Sequence, residues 1–494
     1  MGRISVCHAC ENITGCFFDH IMRYIYSTFT TPLFHCGQGL ICLIVFGLGL
    51  PSMWAQPADS IPLPEELFPQ LQPILAKALS QSSAMLTANS AIVQAEALKV
   101  GTNSLLLPKL DSATYYVNQS SVVAVNADVW SQSSGVFYSL SMSQPIFQWG
   151  TYKAQVDSAK IGVLIAEKNY AEAYRLLALS IRSQFIGLIL KKKYLRNAEF
   201  ALKLTQADLQ LEEEKLRNGM ISTGSLMGPR MAVSDAQLGR DRVRLDLDQA
   251  RHLFSRLTGT EMIEESLIPD DLMLADRYDS APLIQPMLAK FAGDGVKHTF
   301  QAQIYGGYVR QADLYLKVAK YRLYPKFSLS AALSQQSVTS AAENYVAQVA
   351  VKTKSVNIMA AWSLFDGFAA RAAKLSALTS KRTAERQLEN YLQISVDQAR
   401  DLGQALNLAS RAMQLANTRQ ALQWSAVELG RQDLVQGVGS QRAVDTQLLV
   451  FYQIEYAATA ARVEFIRICA EFRSALNSDP AMKNLPTRFI SHAK

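Results

Sequence analysis

Apolar and polar positions along this chain recur with two periods, and the switch between them happens twice. From Ile74 to Leu106 the residues Leu75, Leu79, Leu86, Ile92, Ala95 and Val100 fall at mostly three- and four-residue steps, which predicts a helix. Pro108 ends it, because a proline disfavours the α region for the residue before it. Towards Gly150 the period drops to two: Val136, Tyr138, Leu140 and Met142 alternate with Phe137, Ser139, Ser141 and Ser143. Strands are expected over about 110–125, where alternation is poor, and 134–148. The pattern returns in Phe327, Leu329, Ala331 and Leu333, then in Val356, Ile358, Ala360, Trp362 and Leu364, which predicts strands over about 327–338 and 355–366. Segments of about ten residues, apolar on one face and small and polar on the other, suit a strand between lipid and water. They equally suit a half-buried sheet. The polar stretches 126–134 and 339–354 read as external loops.

The segments after each strand pair are long and helical. No proline occurs between Pro145 and Pro229 or between Pro325 and Pro480. A helix over 151–215 measures roughly 98 Å at 1.5 Å per residue. Its counterpart over 369–429 carries two apolar stripes. One runs from Leu388 and Leu392 through Leu402 and Leu406 to Met413; the other holds Ala405, Leu408, Ala412, Leu415, Leu422, Ala426 and Leu429. Steps averaging 3.5 make coiled-coil seams, and two seams on one helix call for neighbours on both sides. Glycine-containing breaks are expected at 219–229 and 430–440, followed by helices over 231–257 and 442–476.

Landmarks in the two halves stand at one spacing. Leu107-Pro108-Lys109 and Tyr324-Pro325-Lys326 are 217 positions apart; Phe147 and Phe365, and Gly219 and Gly437, are 218 apart. The chain is a tandem duplication. It divides into a leader (1–55), a proline-rich segment (56–73), repeat 1 (74–258), a linker (259–307), repeat 2 (308–478) and a tail (479–494). The linker is expected to pack around the middle of the long helices.

Two strands per repeat give four per chain. Strands in hydrocarbon must close into a barrel, since open edges leave unsatisfied backbone groups, and the smallest spanning barrels have about eight strands. Either several copies share one barrel, or these strands never enter a membrane. The helices carry charges throughout, with no run approaching about 20 apolar residues, so they are not expected to span.

Composition narrows the function. The net charge of +7 over 494 residues is spread along the helices, so no nucleic-acid footprint stands out. Lys191-Lys192-Lys193 reads as a solvent face. Five of the six cysteines lie within the leader and Cys469 stands alone beyond it. Cys7 and Cys10 form a C-x-x-C with no second ligand pair, so no metal is expected. Residues 39–50 form a secretory h-region with cleavage expected near Ala55, and Met22-Arg23 would start a more ordinary signal peptide, leaving 1–21 as an extension. Beyond the leader His252, His298 and His492 are scattered, and Glu264-Glu265 and Asp270-Asp271 read as solvated linker carboxylates. No cofactor or catalytic group is expected.

Leu-Pro-Lys and Tyr-Pro-Lys at the helix-to-strand junctions, Pro145-Ile-Phe-Gln-Trp-Gly and Leu364-Phe-Asp-Gly at the strand exits, and Val438-Gly439-Ser440 before Val444-Asp445 resemble the TolC-type outer-membrane efflux proteins, over about residues 64–478. The resemblance implies a mainly α, mixed fold: a homotrimer whose twelve strands form one outer-membrane β-barrel, continued by an α-helical coiled-coil barrel into the periplasm. It implies an exit duct that is no enzyme and needs no cofactor. Its partners would be outer-membrane lipids, a periplasmic adaptor and an inner-membrane RND, MFS or ABC transporter. A type I protein secretion component uses the same duct, and a non-membrane coiled-coil scaffold is the reading of another class. Asp445, with Gln441 and Arg442, is the candidate periplasmic gate, although Arg442 and Asp445 also read as a local pair. Gly219, Ser222, Gly437, Gly439 and Ser440 are candidate adaptor-contacting tips. Pro108, Pro145, Gly150, Pro325, Phe365, Asp366 and Gly367 mark the helix–strand junctions. Gln148 stands where the family usually has aspartate, and the first tip, 222–234, reads as longer and more broken than is usual in that family.

Overall fold

The computed structural model describes residues 61–124, 128–272, 274, 281–342, 345–486 and 489. The expected h-region, the cleavage near Ala55 and the alternative start at Met22 fall outside the described residues. The described residues all belong to the unit Asp59–Lys494. Its first half runs α1 (Pro64–Leu67), α2 (Leu71–Gln81), α3 (Ser83–Asn103), β1 (Lys109–Ala124), β2 (Asp128–Phe147), α4 (Thr151–Arg217) and α5 (Met227–Thr258). After α6 (Ala281–Gly293) come α7 (Phe300–Lys320), β3 (Lys326–Ala342), β4 (Tyr345–Ala361), α8 (Ala369–Val435) and α9 (Gln441–Ala475).

The duplication is written in the backbone. Helices α3 and α7 are both 21 residues long and stand 217 positions apart at each end; α4 and α8 are both 67 residues long and stand 218 apart. Left-handed positions repeat at 218 as well: Trp149 and Gly150 match Gly367 and Phe368, Gly219 matches Gly437, and Gly259 matches Asn477. At the strand exits the glycine has changed places with an aromatic. Each copy therefore holds one bulky residue in a conformation costing about 1–3 kcal/mol.

The four strands form one antiparallel sheet in the order β1-β2-β3-β4, with β2–β3 joining the repeats. Among the described residues β1 and β4 each keep one unpaired edge. Helix α4 packs between α3 and α7 towards the strands and between α5 and α9 towards the tips, while α8 packs on α7 and α9. Leu408, Leu415, Leu422 and Leu429 on α8, Met231, Leu238 and Leu245 on α5, and Leu86, Val93 and Val100 on α3 form ladders at seven-residue steps, each residue half exposed or more. These are coiled-coil seams without a partner among the described residues.

The core surrounds the middle of α4. Ala171, Tyr174, Ile181, Phe185 and Ile189 are buried there against Leu75, Phe254, Met413, Phe465 and Phe472. Each large apolar side chain so buried contributes about 1.5–3 kcal/mol. Contrary to the expectation for the helices, α4 contains a stretch long and apolar enough to cross a membrane; 50% of that stretch is buried inside the chain, so packing accounts for its apolarity. Arg182 also lies in this core. It donates to both oxygens of Glu65 (2.6 and 2.8 Å) and both of Asp479 (2.6 and 2.7 Å), tying both ends of the described chain to α4.

Several expectations are corrected. The first predicted helix is interrupted at Ser82, whose extended backbone (ψ 134°) separates α2 from α3. The polar stretches read as loops are largely strand: β2 begins at Asp128, β3 runs to Ala342 and β4 begins at Tyr345. Alternation revealed only the amphipathic part of each strand, whereas the ladder continues wherever backbone finds backbone. Conversely β4 stops at Ala361, because its last partner is Lys326, just after Pro325. Gly430 does not break α8; a β-carbon there would lie 2.6 Å from Gln447 Oε1, so the glycine permits close helix approach. The linker is partly helical, and α7 begins at Phe300, eight positions before the predicted start of repeat 2. Lys191–Lys193 is no simple solvent face. Lys193 is buried, paired with Asp271 at 3.1 Å and Glu455 at 3.0 Å, and Lys192 pairs with Asp270 at 2.8 Å.

Candidate functional site

Each long helix turns back through a tight tip. Gly219 N donates to Leu216 O at 2.9 Å and Met220 N to Lys215 O at 2.9 Å; Gly437 N donates to Leu434 O at 3.1 Å and Val438 N to Asp433 O at 3.0 Å. Both are Schellman ends, in which a left-handed residue lets the chain satisfy the last carbonyls. A β-carbon on Gly439 would sit tightly, 3.1 Å from Leu434 N. The Ser440 hydroxyl caps α9 by accepting from Ala443 N at 3.2 Å, and Ser222, 218 positions earlier, shares a 3.2 Å hydrogen bond with the Ser225 hydroxyl. Leu226 and Val444, also 218 apart, are both buried. A 3-10 turn over Thr223–Leu226 precedes α5 where the second tip is already α-helix, and Pro229 sits in the first turn of α5, where its missing N–H costs nothing.

The structure brings Asp445, Gln441 and Arg442 together at the second tip but does not make the local Arg442–Asp445 pair. Gln441 Nε2 donates to Asp445 Oδ1 at 2.9 Å, and Arg442 reaches α4 to pair with Asp208 at 3.2 Å. Asp208 was missed in the sequence, since nothing in the spacing of residues 234 positions apart marks them as neighbours.

At the junctions, Pro108 and Pro325 each stand just before a strand, and Pro145 sits at an irregularity where the β2–β3 register shifts before Phe147. Thr151 N donates to Gln148 O at 3.0 Å, and Ala369 N to Asp366 O at 3.3 Å. The main-chain carbonyl makes this turn, which is why Gln148 serves where the second copy has aspartate. The Asp366 carboxylate pairs with Arg322 at 3.4 Å. Trp149 Nε1 donates to Pro325 O at 2.6 Å, and its ring packs against Phe147 and Tyr324, each with centroids 4.9 Å away, locking the exit of one repeat to the start of the other. Gly150 caps α4 in the left-handed region, Gly367 takes that conformation one residue ahead of the α8 cap, and Phe365 packs on Phe368 at 5.5 Å. An aromatic belt where amphipathic strands meet water is a membrane-interface signature.

No group of three or more metal-ligating side chains occurs among the described residues. Of the linker carboxylates, Asp270 and Asp271 are engaged in close ion pairs: the Lys192 ammonium beside Asp270 holds that carboxyl below the usual range, and Asp271 also pairs with Arg462 at 3.4 Å.

An open-edged amphipathic sheet running into two 67-residue helices is an architecture that this chain shares with solved outer-membrane channels. The family model described as outer membrane efflux protein matches residues 74–260. No curated protein matches the chain significantly. Among solved structures, the Campylobacter jejuni CmeC outer membrane channel is similar with a TM-score of 0.63 and 15% identity, over 93% of this chain and 99% of that one. A Pseudomonas aeruginosa membrane protein matches with TM-score 0.63 and 17% identity (82% and 93%), and the Vibrio cholerae outer membrane protein VceC with 0.59 and 15% (82% and 97%). By sequence in its first repeat and by fold across both, the chain is similar to the TolC-type outer-membrane efflux proteins.

Proposed function

We propose that three copies of this chain form the outer-membrane exit duct of a tripartite efflux system. The observation that carries the reading is the set of unfinished surfaces: β1 and β4 each present an open edge, and α3, α5 and α8 each present a ladder of exposed apolar residues. Pairing β4 of one copy with β1 of the next closes a twelve-stranded barrel. The same operation brings the α8 ladder against those on α3 and α5. The resulting passage is a conduit with no bond chemistry, whose selectivity belongs to a periplasmic adaptor and an inner-membrane RND, MFS or ABC transporter. The adaptor reads the tips at Gly219, Ser222, Gly437, Gly439 and Ser440. Three copies of Asp445 ring the periplasmic mouth, with Gln441 orienting each carboxylate and Arg442 holding α9 to α4.

The test is reconstitution of the detergent-extracted protein in planar bilayers. A cross-linkable trimer should conduct ions with cation preference, and Asp445→Asn should lower that preference and weaken block by multivalent cations. A stable monomer that passes no ions refutes the duct; a conducting trimer indifferent to Asp445→Asn removes only that residue from the gate.

A further inference from the structure

Resting on the outer-membrane duct proposed above, the register of the sheet separates two faces by polarity, and the strand rise gives each residue a height. One face carries Leu140 opposite Leu333, Ala331 opposite Val356, and Leu329 opposite Ile358; the other carries Ser139 opposite Ser334 and Ser330 opposite Asn357. In a closed barrel the first face meets lipid. Two positively charged residues break its apolar run: Lys354 stands opposite Leu333, and Lys352 opposite Gln335. Both are exposed. Their outward neighbours on the adjoining strands are Leu333, Gln335, Leu140 and Tyr138, none of them acidic. The outward positions of β1 between Leu110 and Ser120 hold no acidic residue either, so a second copy paired to the β4 edge supplies no counter-charge in any register.

The height of these lysines follows from the strand itself. The lower boundary is set by Phe327, opposite Ala360 and in contact with Phe147, whose ring packs on Trp149. With a rise of about 3.4 Å per residue and a tilt near 40°, Lys354 lies roughly 16 Å and Lys352 roughly 21 Å above that row. The apolar band of such barrels is about 25 Å tall. The Lys352 stem carries its ammonium to the upper edge, and Lys354, one row lower, snorkels towards the same level. Tyr138 shares the Lys352 row and is half exposed, as expected of an interfacial aromatic. Beneath the lysines a groove of about 420 Å³ is lined by Leu140, Met142, Leu333 and Val356, with Lys354 at its rim.

We propose that Lys352 and Lys354 form a binding site on the lipid-facing wall for the phosphorylated headgroup of an outer-leaflet lipid, with one acyl chain lying in the groove below. Two cations with no acidic neighbour among the described residues, towards the upper edge of a hydrocarbon band, are stabilised by phosphates at that level, and the groove supplies apolar contact continuous with it. A free anion would gain the charge contact and not the groove, so the occupant is the lipid.

The experiment uses the purified trimer in mild detergent, titrated with bis-phosphorylated lipid A and, separately, with phosphatidylcholine, with bound lipid counted by native mass spectrometry. Wild type should retain lipid A in preference to phosphatidylcholine. The Lys352→Gln/Lys354→Gln variant should lose about 25-fold in lipid A affinity, at roughly fivefold per lysine. Lys352→Arg/Lys354→Arg should keep it, and millimolar inorganic phosphate should not displace it. Unchanged lipid A retention by the double glutamine variant, or full displacement by inorganic phosphate, overturns the proposal. Bilayer conductance separates the two readings. A double glutamine variant that conducts and binds lipid A like wild type sinks this site alone, whereas wild-type protein that neither inserts nor conducts sinks the channel and the site together.

Discussion

Replacing Arg182 with methionine tests whether the two ends of the described chain are held to the duct by a buried charge cluster. Arg182 is 1% exposed, and Glu65 and Asp479 are 6% and 5% exposed. Burial acts to lower the arginine's pKa, but hydrogen bonds and charge from Asp479 and Glu65 outweigh it and hold the group above its usual value. The four hydrogen bonds replace water for all three groups, so the net worth of the intact cluster is far below its gross attraction. Arg182→Met is different, because it strands two carboxylates in one dry site. Breaking a buried pair in this way costs about 3–5 kcal/mol, and the second carboxylate places the variant at the upper end. For a chain of this size that corresponds to a fall in melting temperature of about 5 °C. Thermal unfolding of the purified trimer, followed by tryptophan fluorescence, measures it. Adding Glu65→Leu and Asp479→Asn to Arg182→Met should restore most of the loss, the asparagine keeping the cap that Asp479 provides to Ala481 N at 2.9 Å. A single variant melting within about 2 °C of wild type, or a triple variant as unstable as the single, would refute the argument.

Close packing sets two further outcomes. Gly259→Ala places a β-carbon 2.3 Å from Gln81 O at a φ of +70°, so it should destabilise by about 2–4 kcal/mol, from left-handed strain plus overpacking, and lower the melting temperature; an unchanged melt would show that α2 moves aside freely. Burial pushes the Cys469 thiol far above its ordinary pKa. In protein beginning after Ala55, maleimide labelling should therefore stay negligible from pH 7 to pH 9 until denaturant is added, and labelling that rises with pH in folded protein would contradict the packing around α9.

The resemblance to outer-membrane efflux proteins was legible in short junction motifs, and the duplication more firmly in their spacing. Pro108 and Pro325, Phe147 and Phe365, and Gly219 and Gly437 mark backbone events that local chemistry dictates: a proline ends a helix, a glycine accepts a left-handed turn. The seven-residue ladder on α8 was visible for the same reason, since a heptad repeat is a property of one helix. Strand ends were not visible. Polar residues at 128–134 and 339–354 can pair or loop with equal local preference, and only the facing backbone decides which. Gly430 shows the same limit: a glycine inside a helix reads as a break until Gln447 is seen against it.

What the amino-acid order determined by itself was the architecture of one repeat and its duplication, because periodicity, proline and glycine act within a few residues of where they stand. Only the tertiary structure decided which charges are partnered. Lys193 with Asp271 and Glu455, Arg442 with Asp208, and Arg182 with Glu65 and Asp479 join residues from 78 to 297 positions apart. A lysine's neighbours in sequence say nothing about an acid carried to it by another helix, so a solvent face and a buried ion pair look alike until the chain has folded.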